Sequence, residues 1–369
     1  MKILPFVLIL LVFLAANFYI FSRFWQLMPA NLIGRVLLVV CGILFVSSIF
    51  LYVLLVDSMP VLLTTAIYKI GTSWIFIFLY FLMLFLVLDL LKLTRWLPLH
   101  NWLHGNWWGF AGVIGVVFFI MAMGYVRYTH KKRVELTLHI DKQTAGNKPL
   151  KIVAVSDIHL GYGIGKKELQ KWVELINNEH PDVVLIAGDV IDTSIKPLYH
   201  QHMAETFKEI KATYGIYTCL GNHEYISDVS KSIKFLESAG IQVLKDSVAL
   251  VDDLFYIVGR DDRSNPRRKL LRQLTDSLDR SKPVIVLDHQ PYHLEEAEKN
   301  QVDFQFSGHT HRGQVWPISW VTDKIYEDSH GYLQKGNTHI YVSSGLGIWG
   351  GKFRIGTQSE YVVVNLITR

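Results

Sequence analysis

"KIVAVSDIH", residues 151–159, ends a β-branched run on an acid and a histidine two positions apart. The run has the length and composition of a short strand. On an extended backbone, positions two apart leave the same face, so Asp157 and His159 are expected to project together. The stretch reads as a strand that delivers two metal-type donors at its carboxyl end.

The same pattern recurs four times. "DVVLIA" leads into "GDVID", with Asp189 and Asp192, and "IYTCL" leads into "GNHE", with Asn222, His223 and Glu224. "PVIVL" leads into "DHQP", with His289, and "DFQF" into "SGHTH", with His309 and His311. A sixth run, "HIYVSS", follows. The helix-like stretches "KKELQKWVELINNEH" and "HQHMAETFKEIKATY" separate the first three runs, which predicts an α/β or layered α+β domain. In open α/β sheets ligands bind off the carboxyl ends of strands. Asp, Asn and His at successive strand ends are the oxygen and nitrogen donors suited to hard and borderline divalent metals. Asp189 has two oxygens and can bridge two ions. Asn222 offers a neutral carbonyl oxygen, and His223 beside it can face a substrate instead. Gly188, Gly221 and Gly308 directly precede ligand-type residues, where a turn needs positive φ or close backbone approach. His100, His104, His130, His139, His180, His200 and His202 lie outside the pattern and read as non-ligands.

The 369-residue chain changes character near position 127: six basic and two acidic residues precede it, 31 basic and 30 acidic follow. The polar part is almost neutral, which argues against nucleic-acid binding, where positive charge concentrates in the folded domain. The only cysteines, Cys41 and Cys219, fall in different parts, so no disulfide is predicted. Before position 127, Ile3–Phe21, Val36–Val56, Gly71–Leu91 and Trp107–Val126 each approach the roughly 20 apolar residues that cross a bilayer. The first is longer than a signal peptide's apolar core and no small-residue cleavage site follows, so it reads as a span. Trp25, Trp74, Trp96, Trp102, Trp107 and Trp108 are placed as an interfacial aromatic belt. With four spans, Lys2, Lys69, Arg127, Lys131, Lys132 and Arg133 share one side, and Arg23, Arg35, Lys92 and Arg95 the other. The positive-inside rule then predicts cytoplasmic termini and a cytoplasmic C-terminal domain.

The series "DIH…GDVID…GNHE…DHQP…GHTH" resembles the five-motif signature of the calcineurin-like metallophosphoesterase superfamily, over roughly residues 149–369. With its N-terminal spans, the chain resembles the bacterial membrane-anchored branch. The resemblance implies a transmembrane domain over 1–126 with four helices, a juxtamembrane linker over 127–148 and, over 149–369, a four-layer α/β/β/α sandwich metallophosphoesterase domain. It implies two divalent ions, one held by Asp157, His159, Asp189 and His311, the other by Asp189, Asn222, His289 and His309. His223 would contact the substrate phosphate and serve as general acid, with Asp192 and Glu224 supporting the ligands. The implied reaction is hydrolysis of a phosphoester or pyrophosphate by metal-activated hydroxide. With four histidines and no cysteine among the ligands, manganese, iron or zinc suits the site better than magnesium.

Three segments remain. "SSGLGIWGGKFRIG", residues 343–356, follows the run read as the last strand. It either lines the substrate rim, with Lys352 and Arg354 on phosphate and Trp349 on an apolar group, or only closes the sandwich. "GRDDRSNPRRKLLRQL", residues 259–274, is either a solvated helix face or a basic segment for phosphate or anionic lipid. Trp316 and Trp320, in "WPISWVTDKIY", lie either at a membrane interface or in the core. Four spans exceed the needs of an enzyme of soluble phosphates, and in the linker "VELTLHI" alternates like a strand. A domain held close to the bilayer, and a lipid-linked phosphate as substrate, are therefore predicted. Hydrolysis of soluble nucleotides and a non-catalytic binding scaffold are the alternatives.

Overall fold

The computed structural model describes residues 3–56, 58–94, 99–142 and 149–368. Lys2, Asp57, Arg95, Trp96 and positions 143–148 of the expected linker lie outside these. The chain divides into two compact units, Met1–Val126 and Arg127–Arg369.

Four helices long and apolar enough to cross a membrane occupy Ile3–Leu27, Leu32–Leu55, Val61–Thr94 and Trp107–Thr129. Asn31 caps the second, its side chain accepting the Gly34 N–H at 2.8 Å. Leu8, Ile9, Leu37, Ile43, Leu90 and Phe118 are among many apolar side chains left exposed, as expected of helices whose outer surface meets lipid. Trp25, Trp102, Trp107 and Trp108 are exposed as well, but Trp74 is not a belt residue. It is buried between Phe21 and Phe45, at ring-centroid distances of 5.6 and 4.9 Å, and donates to Asn17 Oδ1 at 3.0 Å. An indole N–H with a partner inside the bundle has no need of the interface. Arg23 pairs with Asp89, which also accepts from Tyr19 Oη at 2.6 Å, so these two charges offset each other.

The second unit has twelve strands among its described residues. They are β1 Lys132–Ile140, β2 Leu150–Val155, β3 Val183–Ala187, β4 Ile216–Cys219, β5 Ile241–Val243, β6 Ser247–Val251, β7 Phe255–Gly259, β8 Val284–Leu287, β9 Phe304–Ser307, β10 Gly331–Lys335, β11 Thr338–Val342 and β12 Glu360–Thr368. They form two six-stranded sheets, ordered β1-β12-β2-β3-β4-β5 and β10-β11-β9-β8-β7-β6. The β-branched runs alternate between two cores, as the pleat requires. Ile152, Ala154 and Leu185 of the first sheet meet Ile285, Leu287, Phe304 and Phe306 of the second in an inner core. Val153, Val155, Val184 and Ile186 face outward, under Leu169, Trp172 and Ile176 of the helix Lys166–Asn178 and under Phe235 and Leu236 of the helix Val229–Ser238. Val284 and Val286 pack outward against Leu271, Leu274 and Ala297. Both faces of both sheets are therefore covered, giving the four-layer α/β/β/α sandwich.

All six runs read as strands are strands. "HIYVSS" is not the last, because β12 follows and inserts between β1 and β2. The stretch 127–148, read as linker, contains β1, which pairs in parallel with β12 from Lys132↔Glu360 to Ile140↔Thr368.

Candidate metal centre

The carboxyl ends of β2, β3 and β4 in one sheet and of β8 and β9 in the other lead directly into the motif residues. The loops are laced together by backbone. Asp157 N donates to Gly188 O at 3.2 Å, His159 N to Asp189 O at 3.0 Å and Leu160 N to Val190 O at 2.8 Å. Contrary to the extended backbone that the spacing predicts, Asp157 and His159 have φ of 53° and 51°. Asp189, His309 and His311 likewise have φ of 50°, 72° and 47°. Such left-handed conformations cost energy for residues with a Cβ and cluster at functional sites. Gly221 brings a second loop onto Asp189 so closely that a Cβ there would lie 2.1 Å from Asp189 Oδ1.

Asp157, His159 and His311 form one group whose potential ligand atoms lie within 4.8 Å of one another; Asp189, His289 and His309 form a second and His159, Asp192 and His223 a third. Asp189 Oδ2 stands 3.1 Å from His289 Nε2 and 3.7 Å from His159 Nε2, and so links the first two groups. His159 Nε2 and His311 Nε2 face each other at 3.0 Å. Asn222 Oδ1 is buried without a hydrogen-bond partner. Asp157 takes its hydrogen bonds from Ser156 and the His309 N–H, and Asp189 accepts the His223 N–H at 2.9 Å. Converging imidazole nitrogens, buried carboxylates and an orphaned amide oxygen fit divalent cations.

Neighbouring groups fix the orientations. His289 Nδ1 donates to Ala187 O at 2.7 Å, which leaves Nε2 to face Asp189. Glu224 accepts from Asp189 N, Ile191 N and Gly221 N at 3.0, 3.0 and 2.7 Å, tying the β3 and β4 loops together. Burial and the Asp189 carboxylate push Glu224 up to about 7. Burial works against ionised Asp189 too, yet His289 and His223 hold it well below the usual carboxylate range. Burial and His289 push His309 down to about 4, and burial with His159 pushes His311 well down. Both are therefore neutral, whereas burial lowers His289 but the Asp189 carboxylate outweighs it and raises the imidazole well above its usual range. His223 Nδ1 lies 2.9 Å from Asp192 O and 3.2 Å from Asp192 Oδ1. Burial lowers His223, but Asp189 and Asp192 outweigh it and raise the imidazole to about 9.

The glycine-rich segment packs on the Asp157 loop rather than on the open rim. Leu346 N donates to Ser156 O and Gly347 N to Asp157 O, both at 3.0 Å, and a Cβ at Gly347 would lie 2.2 Å from Ile158 O. Arg354 is fully buried, so it is not a phosphate contact. Its guanidinium donates to His311 O at 2.8 Å, to the Ser344 and Gly347 carbonyls and to Ser359 Oγ. Lys352 pairs with Glu168, and the Trp349 carbonyl accepts from Gln314 at 3.0 Å.

The basic segment is no helix face: only Leu271–Thr275 is helical. Arg260 pairs with Asp288 and Glu296 at 2.9 Å, and Arg268 with Asp288 at 2.8 Å. Sequence reasoning missed the aromatic wall at the centre. The Tyr326 ring lies 6.3 Å from His309 and 4.9 Å from Tyr292, and Arg263 sits 4.6 Å over Tyr292. Of these, only Tyr292 is marked in the sequence, by its position directly after "DHQP".

A model of the calcineurin-like phosphoesterase family matches residues 150–313. An uncharacterized metallophosphoesterase of Campylobacter jejuni is 34% identical over 224 residues, 59% of this chain and 59% of the relative. One of Aquifex aeolicus is 32% identical over 247 residues, 64% of this chain and 93% of the relative. A transmembrane protein with metallophosphoesterase domain from Danio rerio is 32% identical over 257 residues, 64% of this chain and 57% of the relative. The chain thus spans less than two thirds of the Campylobacter and Danio relatives.

Proposed function

The chain belongs to the calcineurin-like metallophosphoesterase family, and on that premise we propose that it is a membrane-anchored, metal-dependent hydrolase of a lipid-linked phosphodiester or pyrophosphate. The observation that carries the hydrolytic reading is the position of Asp189 Oδ2 between His159 and His289, contributed by different sheets. Asp157, His159, Asp189 and His311 would hold one divalent ion, and Asp189, Asn222, His289 and His309 a second. The mixed oxygen and imidazole donors favour manganese, iron or zinc. Cations held there supply charge neutralisation to a phosphoryl group and acidify water.

The chain's own residues do the rest. Asp192 orients His223 through Nδ1, which leaves Nε2 to carry a proton toward the substrate. As the water oxygen bonds to phosphorus and the bond to the leaving oxygen breaks, His223 gives its proton to that oxygen. Glu224 keeps the Asp189 and Gly221 loops in register. Support for a lipid-linked substrate is the presence of four helices long and apolar enough to cross a membrane. Support for a cytoplasmic catalytic unit is the excess of basic residues on the side that includes Arg127–Arg133.

The test is a substrate panel on the purified full-length protein, with bound metal measured by elemental analysis. The panel holds a monoester, a diester, a nucleotide-sugar lipid and a polyprenyl pyrophosphate. Divalent metal and a preference for the lipid-linked substrates are expected, and Asp189→Asn loses metal and turnover together. A variant that keeps its metal with near-normal turnover sinks the site. Equal turnover of the soluble monoester and diester and of the lipid-linked substrates sinks the substrate class alone.

A further inference from the structure

The helix Ile318–Ile325 is built inside out. Its buried residues are Ser319 and Thr322, while Trp320, Val321 and Ile325 are 62%, 56% and 61% exposed. Ile318 and, just before the helix, Trp316 are exposed too, and the two tryptophan rings meet edge to face at 5.3 Å. A helix on a water-facing surface turns its apolar side inward. Here the inward side is small and polar because it seats on the turn that follows His311. A Cβ at Gly313 would lie 2.6 Å from Ser319 N and 2.7 Å from Thr322 Oγ1. The apolar residues are left facing outward, immediately beside the metal centre.

We propose that this face docks on the lipid bilayer interface. Three observations choose the bilayer over another occupant. The fourth membrane-type helix ends at Thr129 and β1 begins at Lys132, so the unit that carries the face is joined to the bilayer by a short tether. The exposed set is two tryptophans, the residue enriched at membrane interfaces, joined by apolar isoleucine and valine. Of the acids nearby, Asp323 is paired with Arg312 at 3.7 Å, Glu327 is paired with Lys335 and Asp328 is half-buried, while Lys324 and Arg263 are exposed cations that suit an anionic surface. The helix runs into Tyr326, which stands beside His309 and Tyr292. A docked helix therefore brings the wall of the metal centre to headgroup level.

The docking rests on this surface and not on the substrate class, so it is read without turnover. The full-length chain carrying Cys41→Ser, which removes its exposed thiol and leaves only buried Cys219, is reconstituted in phosphatidylcholine–phosphatidylglycerol vesicles. An environment-sensitive fluorophore is attached through Val321→Cys or, as control, Lys234→Cys on a distant exposed helix position. The label at 321 is expected to shift to the blue and to be quenched by lipids bearing a nitroxide near the headgroup, and the label at 234 to do neither. Equal solvent exposure at both sites overturns the proposal. A blue shift at 321 without nitroxide quenching, lost on dilution of protein in lipid, assigns the face to a second copy of the chain and overturns it as well. Charge reversal by Lys324→Glu and Arg263→Glu should weaken the quenching at 321, and a quenching unchanged by both denies the anionic surface its part.

Discussion

His223 sits next to the ligand-type Asn222 and within ligand distance of His159 and Asp192, but its Nδ1 is tied to Asp192, and the proposed site gives it a substrate role instead of a ligand role. That placement separates two effects that a ligand would combine. His223→Ala is expected to keep bound metal and lose turnover by roughly 10²–10⁴-fold, the usual contribution of a general acid. The loss should shrink for a nitrophenyl ester, whose leaving group needs no proton. Equal losses on nitrophenyl and alkyl esters would remove the acid role. At this scale the sequence was largely readable. The donor types and their order along the chain predict which side chains gather, because each follows a strand. The route by which they gather was not readable. The two-residue spacing of Asp157 and His159 predicts an extended backbone, whereas both adopt positive φ, as do Asp189, His309 and His311. Spacing carries no information on φ when packing of one loop on another imposes it. Arg354 was misplaced for a similar reason: a guanidinium beside a glycine-rich loop looks like an anion site, but backbone carbonyls satisfy it equally well.

Glu360, at the start of β12, shows how single carboxylates hold elements together. It accepts from Ser344 N at 3.1 Å and Tyr341 Oη at 3.2 Å, and lies 3.0 Å from His330 Nε2. β10, β11 and β12 are thus fastened at one point. Burial opposes its ionisation, but His330, Ser344 and Tyr341 hold it below the usual glutamate range. A folded-state pKa below the unfolded value of about 4.3 stabilises the protein fully above that value, and the contribution fades as pH falls through the folded pKa. Glu360→Gln should therefore cost about 1–3 kcal/mol near neutrality. Thermal unfolding of the two proteins should converge as pH drops below about 4; curves that stay parallel would refute the linkage. The strands that the sequence revealed are those ending in a metal motif, together with "HIYVSS" and the alternating "VELTLHI". β5 escaped because it is short, β6 and β10 because they are only half buried, and the well-buried β7 because no motif follows it to mark it. β12, "EYVVVNLIT", had a clear β-branched run and was passed over because the glycine-rich loop before it looked like an ending.

Across the whole molecule, the boundary near 127 was readable from charge and hydropathy alone, since lipid and water select different compositions. Assigning 127–148 to neither unit followed from its lack of motifs, yet β1 lies within it because a strand needs a neighbour, not a ligand. Orientation is the expectation that belongs to this scale. A reporter fused after Arg369 in the full-length chain should show cytoplasmic activity, and activity only on the outer side would reverse the topology. The position of β12 has a further consequence for how the protein is made. Its neighbours β1 and β2 are the first two strands to leave the ribosome, yet β12 lies between them. Until the codons for 360–368 are translated, β2 presents an open edge and β1 has no partner in the sheet, although the metal-motif residues have already emerged. Closure must wait for a pairing across more than 200 positions of chain, which is intrinsically slow. A nascent chain halted before Glu360 therefore exposes strand edges prone to aggregation, and the nine-residue β12 acts as the clasp that closes the first sheet.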